Sequence, residues 1–229
     1  MKKAILIMIL LSVVRAAIAS ELLVPSQYST IQAAIIAAGN SDTVESKWKS
    51  LGGDFARTGL SDSNGPESGC IKWEFETTRA VSSSVTVGAD NTVYIPCEDG
   101  KLYALDPNGS LIWSYDANSP LISSPTIGPD GTLYVGGMNG KLFAIDINGN
   151  LQWTHSTDGF IYSSPAVSTD GNIYVGSQNG VLYALTQDGS ELWSFVTKGP
   201  GEVLRGSIFA SPAIGADETV YIAGLYDPN

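Results

Sequence analysis

The sequence predicts an all-β fold made of repeated four-stranded antiparallel sheets, and three observations carry that reading. Trp73, Trp113, Trp153 and Trp193 stand 40 residues apart, and Tyr94, Tyr134 and Tyr174 keep the same interval. Asn-Gly and Asp-Gly pairs recur between short runs of β-branched and aromatic residues, the chemistry of tight hairpins. No helical periodicity is present after Trp48. A period near 40 built from strands is that of β-propeller blades.

Each unit reads as four strands. In the unit from Leu121 these are Ser123 to Gly128, Thr132 to Gly137, Lys141 to Asp146 and Leu151 to Ser156. Turns at Pro129-Asp130-Gly131, Asn139-Gly140 and Asn148-Gly149 separate them. One such sheet cannot bury both its faces, whereas copies stacked around an axis bury each other. The tryptophans are the large apolar contacts between sheets. Ala104, Ala144 and Ala184 are small partners that allow close approach. Pro125, Pro165 and Pro212 fall on the first strand, which is therefore expected at the inner edge of each sheet.

The stretch "ALDPNGSLIW" resembles the tryptophan-docking repeat of the quinoprotein-type (PQQ-like) propellers. The family pattern of Ala-x-Asp, a turn with Gly, then Trp is met by Ala104, Asp106, Gly109 and Trp113, and by Ala144, Asp146, Gly149 and Trp153. The third copy keeps Ala184, Gly189 and Trp193 but has Thr186 where Asp is expected. The opening "WKSLGGDFARTGLS", residues 48 to 61, is similar to the lead-in of such propellers. The repeats are thus assigned to 48–229.

About three complete blades are expected, starting near Val81, Leu121 and Ile161, with partial blades on either side. A lone outer strand, Ile71 to Glu76, precedes them, and two strands follow. Propellers have about four to eight blades, so the ring is incomplete and the chain is expected to be a fragment of a longer reading frame. In the resembling family such an N-terminal strand completes the last blade.

Residues 1–19 read as a signal peptide: Lys2 and Lys3, an apolar run from Ala4 to Val14, and a small-x-small site at Ala17-Ile18-Ala19. The run is too short to span a bilayer, and no cysteine follows the site for lipid attachment. The mature chain is expected to be exported, whether periplasmic, cell-surface or extracellular, with no transmembrane segment. The net charge of −11 becomes −14 without the leader, with 9 basic and 23 acidic residues left. That balance argues against nucleic acid and anionic lipid as partners. Residues 20–47 form a separate lead-in. Leu22 to Val44 resembles the cap of pectate-lyase-type β-helix proteins, and Ile31, Ala34, Ile35 and Ala38 also make the stripe of an amphipathic helix.

The resemblance raises a quinone-dependent dehydrogenase, which would hold PQQ with calcium through an adjacent Cys-Cys disulfide, a Trp floor and a carboxylate cluster. Cys70 and Cys97 are not adjacent and no such cluster stands out, so no cofactor and no catalytic or metal-binding residue is expected in the visible chain. Strand directions put the two cysteines about 17–20 Å apart, beyond the ~7 Å reach of a disulfide. His155, the one histidine, aligns with Phe75, Tyr115 and Phe195 and occupies an aromatic packing position. "DINGN" at 146–150 is a hairpin turn, since the calcium-loop positions for Gly and Glu hold Leu151 and Thr157.

Positions that vary between copies are free to bind. The second-to-third-strand loops and the inter-blade loops share one face, which carries Arg79, Glu98, Asp99, Met138 and Gln178, with Asn118 and Phe160 also in the inter-blade loops. The loop Lys198 to Ser207 adds seven residues there, with Glu202 and Arg205 as the candidates. The expected function is a non-catalytic exported propeller that scaffolds a protein or polymer. The alternatives are part of a PQQ-dependent dehydrogenase and a carbohydrate-associated surface protein, the partner in either non-enzymatic case being protein or polysaccharide at the cell surface.

Overall fold

The computed structural model describes residues 71–197 and 206–224. The expected leader (1–19), the lead-in (20–47), Cys70, and Glu202 and Arg205 lie outside the described residues. Three four-stranded antiparallel sheets follow one another along the chain, each in simple sequence order. The first holds β1 (Thr86–Val87), β2 (Val93–Pro96), β3 (Lys101–Leu105) and β4 (Leu111–Asp116). The second holds β5 (Thr126–Ile127), β6 (Leu133–Gly136), β7 (Lys141–Ile145) and β8 (Leu151–Ser156). The third holds β9 (Ala166–Val167), β10 (Ile173–Gly176), β11 (Val181–Leu185) and β12 (Glu191–Val196). A pair, β13 (Ala213–Ile214) and β14 (Val220–Tyr221), begins a fourth. The architecture is a β-propeller, incomplete among the described residues.

Burial follows strand position. The second strands of the first two sheets are wholly buried, and the fourth strands β4 and β8 alternate exposed and half-buried. Apolar side chains on both faces of the inner strands are covered by neighbouring sheets, so the cores lie between blades. One core joins Tyr94, Leu102 and Ala104 to Leu121, Leu133 and Phe143; the next joins Tyr134, Leu142 and Ala144 to Ile161, Val175 and Tyr183.

The alanines have a more specific role than close approach. Tyr94 pairs with Ala104, and Ala104 pairs with Trp113. The small methyl lets the two rings meet over β3, at 5.9 Å between centroids. Tyr134 and Trp153 meet over Ala144 at 5.8 Å, and Tyr174 and Trp193 over Ala184 at 5.9 Å. A bulge follows each alanine in the ladder, bending the outer strand.

Three of the tryptophans also reach into the next blade. Trp73, Trp113 and Trp153 donate from Nε1 to the carbonyls of Pro107, Ile147 and Gln187 at 3.1, 2.8 and 2.9 Å. Each ring lies over the turn glycine there, Gly109, Gly149 or Gly189. Within these turns the Asp106 carboxylate accepts the N–H groups of Asn108 and Ser110, and Asp146 accepts those of Asn148 and Asn150. Thr186 replaces the aspartate without loss of the turn, because its hydroxyl accepts the Ser190 N–H at 3.1 Å.

The first strands are shorter than expected, and β5, β9 and β13 begin just after Pro125, Pro165 and Pro212, which have no N–H for the ladder. The residues before them make an inner seam instead. Ser84 N–H donates to Ser124 Oγ, Ser124 N–H to Ser164 Oγ and Ser164 N–H to Ser211 Oγ, each at 2.9 Å. Thr86 and Thr126 hydroxyls donate to the carbonyls of Pro125 and Pro165 at 2.6 Å. Ser123 and Ser163 accept from the N–H of Gly136 and Gly176. Ser83 holds the same position opposite Pro96, which lacks the N–H that Gly136 and Gly176 donate, and its buried Oγ has no hydrogen-bond partner.

Ile71 to Glu76 repeats the alternating burial of β4 and β8 but is not in a ladder. Its side chains dock nonetheless: Trp73 on the first blade's turn, and Phe75 edge-on to Tyr103 at 5.4 Å. At the other end Leu192, Trp193 and Phe195 are 48%, 43% and 58% exposed. No further third strand stands beside them among the described residues.

Candidate functional site

The loop face is stitched into a continuous belt. Glu98, Met138 and Gln178 donate their backbone N–H groups to the carbonyls of Ala80, Pro120 and Phe160 at 3.0, 3.0 and 2.9 Å. Ala117, Thr157 and Thr197 donate to Gly100, Gly140 and Gly180, and Leu121, Ile161 and Ile208 donate to Cys97, Gly137 and Ser177. Among the described residues, the second-to-third-strand loop of each four-stranded sheet is therefore bonded to the inter-blade loop beside it. Side chains on this belt stand on fixed backbone.

Asp99 is held within the scaffold. Its carboxylate accepts from the Thr78 hydroxyl (2.7 Å), the Tyr103 hydroxyl (2.6 Å) and the Lys101 N–H (3.0 Å). Asn139 and Asn179 do the same turn work, accepting from Lys141 and Val181 N–H, and Asn179 Nδ2 donates to the Tyr183 hydroxyl at 2.9 Å. Burial pushes the Asp99 carboxyl up, but the Tyr103, Thr78 and Lys101 hydrogen bonds outweigh it and hold it below its ordinary 3.8. Burial, then the Asp99 carboxylate, push the Tyr103 phenol up. Burial likewise raises the Cys97 thiol, which is free and contacts the carbonyls of Arg79 and Ala80 at 3.4 and 3.5 Å.

Arg79 is exposed at the rim, and Glu98, which accepts from the Ser82 hydroxyl, is half-buried, as are Met138 and Gln178. These four differ between blades and take part in the belt only through their backbones or, for Glu98, one serine. The structure adds two rings, Tyr162 and Phe209, to Phe160 on this face. Phe160 meets Tyr162 at 6.2 Å and Tyr162 meets Phe209 at 5.1 Å, with Phe160 42% and Phe209 41% exposed. The Gln178 backbone N–H bonds the Phe160 carbonyl, so the two loops are joined through their main chains. The signal was present in the repeat: Ser82, Ile122, Tyr162 and Phe209 occupy one position, which turns aromatic only in the last two copies.

His155 packs edge-on to Tyr183 at 5.4 Å, as Phe75 does to Tyr103, which places it in the aromatic layer. Cys97 stands between Pro96 and Glu98, and among the described residues no three His, Cys, Asp or Glu side chains gather as metal ligands.

The comparisons with known proteins agree with this architecture. No curated protein sequence matches the chain. BamB from Moraxella catarrhalis superposes with a TM-score of 0.57 at 24% identity, covering 68% of this chain and 50% of that one. The quinohemoprotein alcohol dehydrogenase of Comamonas testosteroni superposes with a TM-score of 0.65 at 20% identity, covering 78% of this chain and 35% of that one. The dehydrogenase ADHIIG of Pseudomonas putida HK5 gives 0.56 at 19%, covering 75% and 33%. The chain thus spans half the length of the BamB structure and about a third of the dehydrogenases, and at these identities the likeness is one of fold. The sequence profile described as outer membrane protein assembly factor BamB matches residues 63–129 and 126–225. Together these segments span well over half of the chain, which belongs to that PQQ-like propeller family.

Proposed function

We propose that the chain is a non-catalytic, exported propeller scaffold that binds a protein partner through its loop face. The observation that carries this reading is the cluster of Phe160, Tyr162 and Phe209 beside Gln178, exposed on a hydrogen-bonded belt. Exposed aromatics on fixed backbone are the usual energetic centre of a protein interface. Family membership supports it, since the family is described as an assembly factor. Arg79, Glu98, Met138 and Gln178 would form the polar rim, with Glu202 and Arg205 of the seven-residue insertion alongside. Asp99 would act only by shaping its loop.

The test is photo-crosslinking in cells expressing the full chain. A photoreactive residue at Gln178 is expected to give a discrete adduct that the same residue at Ile147, on the turn face, does not. The same pattern from both positions would count against the loop face. A PQQ-dependent dehydrogenase is the second reading, raised by the fold likeness to two quinohemoproteins. Dye reduction after reconstitution with quinone and calcium would support it over the scaffold.

A further inference from the structure

We propose that Asn108 is an acceptor site for N-linked glycan. Asn108-Gly109-Ser110 is the one Asn-x-Ser/Thr triplet in the chain, the pattern an oligosaccharyltransferase reads. It forms the tip of the turn between β3 and β4, and both Asn108 and Ser110 are exposed. The turn itself does not need this triplet. The second blade makes it with Asn148 and Asn150, and the third with Asp188 and Ser190. Neither of those copies is an acceptor sequence. Asn108 and Ser110 serve the turn through their backbone N–H groups, bonded to Asp106 at 2.8 Å. The neighbouring strand segment holds the turn through another atom, the Pro107 carbonyl, which accepts from Lys72 Nζ and Trp73 Nε1 at 3.0 and 3.1 Å.

A second observation points to the same place. Leu111 and Ile112, directly after the triplet, are 50% and 53% exposed on the outer edge strand β4. The matching pairs are Leu151-Gln152 and Glu191-Leu192, each with a polar member. An exposed apolar edge strand is an aggregation hazard that proteins cover or charge. A glycan on Asn108 is a hydrophilic cover at β4, which among the described outer strands is the one that begins with two apolar residues. Its turn lies at the opposite end of β3 from the Cys97-to-Gly100 loop, about 17 Å away for a five-residue strand, so the loop face stays open.

In the reaction the Asn108 amide nitrogen forms a bond to the anomeric carbon of a polyprenyl-phosphate- or diphosphate-linked oligosaccharide. The bond from that carbon to the phosphate oxygen breaks, the lipid phosphate leaves, and the amide gives up one proton. The proposal rests on export, because the transferase acts on translocated chain.

The experiment expresses the full chain, with its own leader, in a secretory host that carries an oligosaccharyltransferase, and measures intact mass. The wild type is expected to carry one oligosaccharide, removed by peptide-N-glycosidase and absent from Asn108→Gln and Ser110→Ala. Asn150→Ser completes a second triplet at Asn148 and is expected to add a second glycan. Secreted chain that is unmodified at Asn108, with or without modification of the Asn150→Ser variant, overturns the site. Chain retained inside the cell with its leader uncut overturns export, and the site with it.

Discussion

Trp113 lies so close over Gly149 of the following blade that a Cβ built on that glycine would stand 2.8 Å from the indole Cδ2. The same indole donates its N–H to the Ile147 carbonyl at 2.8 Å. One residue therefore joins two blades by apolar contact and by a hydrogen bond. The glycine meets two demands, room for the ring and a φ of +86°.

The two demands on Gly149 can be separated by a control. Gly131 has nearly the same φ, +89°, but a Cβ there would meet only Ile147 Cγ2, at 3.3 Å. Gly131→Ala is expected to cost the backbone strain alone, about 1 kcal/mol. Gly149→Ala adds a clash with a packed ring and is expected to cost about 1–3 kcal/mol more. Trp113→Ala should cost about 3–5 kcal/mol. Urea denaturation of the three variants checks the order, and equal losses at the two glycines would show that the ring gives way freely.

The repeat spacing made the fold legible, since Trp113, Ala104 and Gly109 announce one docking unit and recur as a set. What the spacing could not convey is which neighbour each residue serves. Ala104 separates two aromatic rings within its own sheet, whereas Trp113 serves the next one. The inner seam was hidden for a similar reason: "SSP" reads as a strand, yet its serines replace ladder bonds that proline removes. The candidate face was half legible. Variation between copies pointed to Glu98, Met138 and Gln178, but Asp99 looks as free as they do until its three donors are seen. Phe160 and Tyr162 are two residues apart, but Phe209 lies 47 residues beyond Tyr162, and only the fold brings its ring against that of Tyr162.

The seam predicts unequal losses at two serines. Ser164 Oγ accepts a buried N–H, that of Ser124, while Ser124 Oγ accepts a part-buried one, that of Ser84. Leaving a buried donor unpaired costs about 1–3 kcal/mol. Ser164→Ala should therefore destabilise more than Ser124→Ala, and hydrogen exchange at the Ser124 amide should quicken only in the former. Equal exchange in both variants would show that the seam bonds do not hold the blades together.

Stability should fall at both ends of the pH range. Burial, then nearby Asp90 and Asp130, push the Tyr94 and Tyr134 phenols up from 10 to about 12. Above pH 10 only the unfolded chain ionises freely, so the stability present below pH 10 is lost between about 10 and 12. In acid the sign reverses. Hydrogen bonds from Asn150, Thr186 and Thr219 hold Asp146, Asp188 and Asp217 below 3.8. These exposed turn carboxylates contribute above pH 3.8 and lose that contribution as pH falls through their lowered values. Denaturation midpoints measured from pH 2 to 12 should form a plateau with both limbs, and Tyr134→Phe should shallow the alkaline one.

His155 gives the last prediction, and its sign is the reverse of most core substitutions. The ring holds the position that Phe75 and Tyr115 hold in the other copies, edge-on to the aromatic of the next blade's third strand. Its Nε2 is buried without a hydrogen-bond partner, a cost of about 1–3 kcal/mol to the folded state. Phenylalanine keeps the edge-on contact and has no such atom. His155→Phe is expected to stabilise the protein by about 1 kcal/mol, read as a higher denaturation midpoint at neutral pH. His155→Ala should do the opposite, by opening a cavity between the second and third blades. A loss of stability in the phenylalanine variant would mean that the imidazole has a polar partner which the packing of these two blades does not supply.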